Sequence, residues 1–314
     1  MIKYRNNLPQ LTDGIFLTDS GLETTLIYLE NLELPEFTAF PLLEDERGFR
    51  AMRDYFRRHA ALAKEAGVGF VLESVTWRAN SDWGRRLGYS DDRLAEMNRR
   101  SIEMLEDIRR EFETDRTKIV ISGCVGPRGD GYVPSEKMSA REARDYHSAQ
   151  IRTFSETAAD MVAAFTINYV EEAIGITEAA KSHGMPVAIS FTVETNGKLP
   201  TGQTLKDATE AVDAATGNAP AYFMINCAHP THFENVLADE PWANRIRGIR
   251  ANASTKSHAE LNDSTELDAG DPAELGEQYR GLLDKFKNLK VLGGCCETDF
   301  RHIEAICRAS VVRA

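Results

Sequence analysis

The chain has 314 residues, a formal net charge of −12 and an isoelectric point near 5.2. Its acidity argues against a nucleic-acid or anionic-membrane partner, because both are held by basic surfaces. No apolar run approaches the roughly 20 residues needed to span a bilayer, and Met1-Ile2-Lys3-Tyr4-Arg5-Asn6-Asn7 is not followed by a signal-type apolar core, so a cytoplasmic protein is expected.

In chain order, an apolar, β-rich run alternates with a helical pattern, which favours a parallel sheet with crossover helices. The first strand is expected at 15–18, ending in Asp19-Ser20-Gly21, with a long excursion rich in Leu, Glu and Pro after it. Met52, Phe56, Ala60 and Ala63 then share one helical stripe that stops at Gly67. Strand two, 68–72, runs into Glu73-Ser74-Val75-Thr76-Trp77, and Ser90-Asp91-Asp92 starts a helix with Leu94, Met97, Ile102, Leu105, Ile108 and Phe112 near one face.

Strand three, 118–122, ends in Gly123-Cys124-Val125-Gly126-Pro127. The capping box Ser139-x-x-Glu142 opens the next helix. Strands follow at 161–167, 186–191, 221–225 and 246–250, with Thr204 capping a helix between the fifth and sixth. Asp271-Pro272-x-Glu274 combines an N-cap, a first-turn proline and a capping-box acid. Strand eight is 290–292. Eight strands with intervening helices close a (β/α)8 barrel, a TIM barrel, whose site lies at the C-terminal strand ends. Residues 1–314 read as one domain, since no linker, low-complexity segment or repeat interrupts them. The runner-up, an open dinucleotide-binding sheet, needs a Gly-rich phosphate turn that Asp19-Ser20-Gly21-Leu22-Glu23 does not supply.

The five cysteines are Cys124, Cys227, Cys295, Cys296 and Cys307, an odd number spread through a long chain and no disulfide framework. Adjacent cysteines are poorly placed to bond each other. On a barrel, Cys227 leaves strand six and Cys295 and Cys296 leave strand eight on the same face. Three thiolates plus one open position is a catalytic zinc arrangement, and Gly293 and Gly294 are expected to let the backbone approach the metal. The alternative is three ordinary buried cysteines, the reading given to Cys124 and Cys307. His229 and His232 are read as loop or helix-start residues rather than ligands.

The residues resemble the zinc-dependent homocysteine S-methyltransferases. Asp19-Ser20-Gly21 is similar to the family's Asp-Gly-Gly turn, Ile225-Asn226-Cys227 to its Asn-Cys strand end, and Gly293-Gly294-Cys295-Cys296 to its Gly-Gly-Cys-Cys signature, with likeness over nearly the whole chain. The resemblance implies zinc held by Cys227, Cys295 and Cys296, and methyl transfer from an activated donor to the thiol of homocysteine, giving methionine. It also implies that Asp19 holds the substrate amine, where turn capping is the bland alternative. Asn226 orients the site or contacts substrate. Trp77, like Trp83, either cradles a positively charged donor or packs the mouth. The partners are then a small-molecule thiol and a methyl donor, with a homo-oligomer compatible.

Several departures bear on the substrate. The family's Phe-Glu-Thr after strand four, whose acid helps bind the amine, is Ala164-Phe165-Thr166 here. Losing one of two such acids weakens an ammonium site by on the order of 1 to 3 kcal/mol. Glu297-Thr298 stands where Gly-Thr is common, and Glu297 is a candidate to replace the missing acid. Arg250-Ala251-Asn252-Ala253-Ser254 stands where members often show Tyr-Pro-Asn-Ser-Gly. Arg78, near the donor-binding aromatic of betaine users, favours a sulfonium such as S-methylmethionine or S-adenosylmethionine. Two rival readings are a non-catalytic zinc barrel that binds a small molecule or partner, and methyl transfer to a different thiol.

Overall fold

Eight parallel strands close on themselves in sequence order in the computed structural model, which describes residues 2–12, 14–134, 137–237, 240–264 and 267–311. They are β1 (Phe16–Leu17), β2 (Gly69–Glu73), β3 (Ile119–Val125), β4 (Met161–Ile167), β5 (Val187–Phe191), β6 (Tyr222–Asn226), β7 (Ile246–Ala251) and β8 (Val291–Gly294). β8 returns to β1 with Phe16 opposite Val291 and Leu17 opposite Leu292, completing the expected TIM barrel. No described helix is long and apolar enough to cross a membrane.

Two apolar layers hold the barrel. Val71, Val120, Ala163, Ala188 and Met224 fill its interior, while Leu72, Ile121, Val162, Ile189 and Ile225 point outward onto the helices. This is the period-two alternation of strands buried on both faces. The helix Glu46–Ala66 is typical of the outer ring. Asp45 caps its first turn, its buried stripe includes Met52, Phe56, Ala60 and Ala63, and Gly67 ends it at φ 67°, where a side chain would be strained.

The N-terminal segment seals the lower mouth. Asp160, fully buried, accepts from the backbone N–H groups of Lys3, Tyr4 and Ile121 and from Arg109 Nη1 at 2.7 Å. The other mouth is therefore the open one, and every strand delivers its last residues there.

Several strands reach further than their apolar runs, whereas β1 is shorter than the expected 15–18. β2 includes Glu73, β3 continues through Cys124 to Val125, and β8 extends through both glycines. At the open mouth the interior is polar, so hydrophobicity stops before the hydrogen-bonded ladder does. The excursion after β1 begins with a helix, Leu22–Tyr28, that has no side-chain cap and was not anticipated. Asp271 caps the helix Pro272–Lys285 by accepting from Ala273 N, with no reciprocal bond from Glu274. A Cβ on Gly293 would strike Thr18 and one on Gly294 would strike Thr298, so these glycines allow close approach of β1 and of the turn after β8.

Candidate metal centre and acceptor pocket

Three non-glycine residues at the open mouth have left-handed backbones: Thr166 at φ 61°, Cys227 at φ 53° and Glu297 at φ 66°. Each such conformation costs roughly 1–2 kcal/mol. Thr166 lies where the β4–β5 register shifts, Cys227 immediately follows β6, and Glu297 sits in the turn after β8. The turn is tied down by Thr298, whose N–H and hydroxyl both donate to the Cys295 carbonyl, and whose own carbonyl accepts from Gly21 N. That turn is how two adjacent cysteines present their sulfurs to one cavity.

Cys227, Cys295 and Cys296 bring their sulfurs within 4.8 Å of one another. Sulfurs bound to one tetrahedral zinc at about 2.3 Å lie roughly 3.8 Å apart, so the donor set fits a metal. The sulfurs of Cys227 and Cys295 are in contact, with Cα atoms 5.4 Å apart. Thiols aimed at one point are near enough for two to bond, and disulfide and three-thiolate ligation are alternative states of the same sulfurs.

Asn226 is the centre's main polar support. Its Oδ1 accepts from Thr166 N at 2.9 Å and Ser190 Oγ at 2.6 Å, which fixes the amide's orientation. Its Nδ2 then faces Cys227 Sγ at 3.2 Å, Cys295 Sγ at 3.9 Å and Thr166 Oγ1 at 2.9 Å. Every polar atom is engaged with the protein, an orienting arrangement rather than a substrate contact. Tyr132 Oη lies 3.9 Å from Cys296 Sγ, and its ring packs, tilted, against His258 at 4.2 Å. His258 Nε2 donates to the Cys227 carbonyl at 2.6 Å. Burial pushes the Cys296 thiol up to about 11, so its ionisation calls for a nearby positive charge.

A cavity of about 380 Å³ leads from the sulfurs to the strand ends. Asp19, 3% exposed, lies in it with Oδ2 accepting from Tyr55 Oη at 3.1 Å and ion-paired with Arg250 Nη2 at 3.1 Å. Its Oδ1 is buried without a partner. Glu73 also faces the cavity, raised to about 7 by burial. Phe165 occupies the place of the expected acid, with the Arg250 guanidinium 5.1 Å from its ring centre.

Trp77 lines the cavity and donates from Nε1 to the Phe165 carbonyl at 3.3 Å, but Arg78 lies 4.9 Å from its ring. Trp83 is buried in the helix Ser81–Arg86 with Arg78 and Arg86 over its faces, and so packs the mouth. Glu297 is buried and raised to about 7, first by burial and then by Asp268. The charges acting on it are Asp268 and Lys256, on the segment after β7. His229 caps the helix Pro230–Phe233, and His232 contacts the Thr255 carbonyl; neither joins the sulfurs. Cys307 is buried on the helix Phe300–Ser310, whereas Cys124 faces the cavity from β3.

Sequence reasoning treated Arg250 only as a departure and passed over Glu73, Tyr132 and His258. A buried charge at a strand end was the available signal for the first two; the loop residues carried none.

The family model described as homocysteine S-methyltransferase matches residues 16–310. The Bacillus subtilis homocysteine S-methyltransferase YbgG is 26% identical over 270 residues, covering 81% of this chain and 80% of that protein. The broccoli selenocysteine Se-methyltransferase is 23% identical over 328 residues, covering 96% and 90%. Among solved structures, the Escherichia coli homocysteine methyltransferase MmuM superposes with a TM-score of 0.75 in its oxidized form and 0.71 in its metallated form. The identities are 16% and 15%, and the alignments cover 98% and 97% of this chain, and 100% and 99% of MmuM.

Proposed function

The chain belongs to the homocysteine S-methyltransferase family, and from that premise we propose that it is a zinc-dependent thiol methyltransferase. The observation that carries this reading is the convergence of Cys227, Cys295 and Cys296 on a cavity large enough for a small thiol and part of a donor. Zinc bound by the three thiolates supplies a positive charge that holds an acceptor thiol deprotonated at neutral pH. Asn226 orients the sulfurs, and the packed Tyr132 and His258 cover them.

The donor is a sulfonium such as S-methylmethionine or S-adenosylmethionine. The new S–CH3 bond forms in line as the donor's S–CH3 bond breaks. The donor leaves as a neutral thioether, and the thiol proton passes to solvent. The Arg78 guanidinium already sits against Trp77, so the Tyr132 ring is the aromatic surface better placed for the positive donor.

The test is methyl transfer from each sulfonium to a panel of thiols, read by mass spectrometry on reduced, zinc-loaded protein. Formation of an S-methyl thioether, lost in Cys296→Ser, supports the reading. Zinc binding without transfer to any thiol favours a binding protein instead.

A further inference from the structure

The polar floor of the cavity is built around a cation belonging to the protein. Arg250, 8% exposed at the end of β7, donates from Nε to the Gly294 carbonyl at 3.0 Å, and from Nη2 to the Ser20 carbonyl at 3.1 Å. The same Nη2 pairs with Asp19 Oδ2 at 3.1 Å. Asp19 Oδ2 is shared with Tyr55, and Oδ1 is walled off. The carboxylate that the family pattern assigns to an ammonium is thus spent on a guanidinium. The second acid of that pattern is Phe165, whose ring lies beside the guanidinium. Among the described residues Arg250 Nη1 has no hydrogen-bond partner, and it is not among the walled-off atoms, so it is the donor left to the cavity.

We propose that Arg250 is the specificity-determining residue for the acceptor: it selects a thiol bearing a carboxylate at this end, and the site has no requirement for an ammonium group. The inference rests on the thiol-methyltransferase reading and narrows its substrate class to short mercaptocarboxylates. An ammonium placed here meets a fixed positive charge, a phenyl ring where the second acid would stand, and an Asp19 carboxylate already paired with Arg250. A carboxylate meets the fork of N–H donors that guanidinium groups offer to planar anions. Glu73 and Glu23 also line the cavity, and burial raises both, which weakens their competition with an incoming carboxylate.

The experiment compares homocysteine with its desamino analogue, mercaptobutyrate, and its decarboxy analogue, mercaptopropylamine, on reduced, zinc-loaded protein. Dissociation constants are read by calorimetry, independently of turnover, and kcat/KM is read with a sulfonium donor. Mercaptobutyrate is expected to match homocysteine and to bind at least tenfold more tightly than mercaptopropylamine. Arg250→Met should remove at least tenfold of that preference, and Phe165→Glu, which leaves the Arg250 backbone contacts alone, should narrow it by improving the aminothiol. Tighter binding of mercaptopropylamine, equal binding of both analogues, or an unchanged ratio in both variants overturns the inference while leaving thiol methylation standing. Failure of all three thiols to bind overturns the proposed function as well.

Discussion

Asn226 Nδ2 lies 3.2 Å from Cys227 Sγ, while Asn226 Oδ1 is fixed by Thr166 N and Ser190 Oγ, so the amide holds a sulfur that follows it directly in sequence. Outer hydrogen-bonding partners of this kind typically contribute 10–100-fold in metal affinity. Asn226→Ala is therefore expected to weaken zinc binding by about that factor with the barrel intact. Competition with a chromogenic chelator measures it, and circular dichroism checks the fold.

Oxidation gives a second prediction. A bond between Cys227 and Cys295 removes two of three candidate ligands, so mildly oxidised protein should lose zinc and regain it with dithiothreitol. Zinc content before and after reduction, alongside thiol titration, checks this; retention of zinc by fully oxidised protein would count against these ligands.

Glu73 makes stability depend on pH. Its carboxyl is raised from an ordinary 4.5 to about 7 by burial, with Arg250 opposing the rise. A raised acid contributes stability that is fully present below pH 4.5 and is lost as pH climbs through 7. The span corresponds to about 3 kcal/mol as an order of magnitude. Glu73→Gln should lessen the loss of urea-denaturation stability across that window, with Glu297 accounting for part of what remains, and an unchanged slope would remove Glu73 as a cause.

At the sealed mouth, Asp160 neutralises the buried Arg109 and caps three backbone N–H groups. Removing one partner of a buried pair costs about 3–5 kcal/mol. Asp160→Ala should therefore lower unfolding free energy by that amount while leaving the geometry of the distant sulfurs, and hence zinc affinity in the folded protein, unchanged.

The barrel was legible because each strand is a short apolar run bounded by a cap or a glycine. β4 was placed at its exact limits, since Met161–Ile167 is apolar almost throughout. Strand ends at the open mouth were not, because Glu73, Cys124, Gly293 and Gly294 continue the ladder without continuing the hydrophobicity. The sulfur cluster could be read from strand order alone, since residues just beyond β6 and β8 share one face. The ion pair of Asp19 and Arg250 could not. It joins positions more than two hundred residues apart, at the ends of β1 and β7 on either side of β8, and no local pattern records which side chain fills a common cavity. The contact between Cys227 and Cys295 was missed for a related reason: the spacing showed convergence but not which two sulfurs touch.

Zinc content and methyl transfer measured on the same reduced samples, for the wild type and for Cys296→Ser, test the three-thiolate centre most directly. The expected result is near-stoichiometric zinc and thioether formation in the wild type, with both lost in the variant. Methyl transfer that persists in zinc-free Cys296→Ser protein would contradict it.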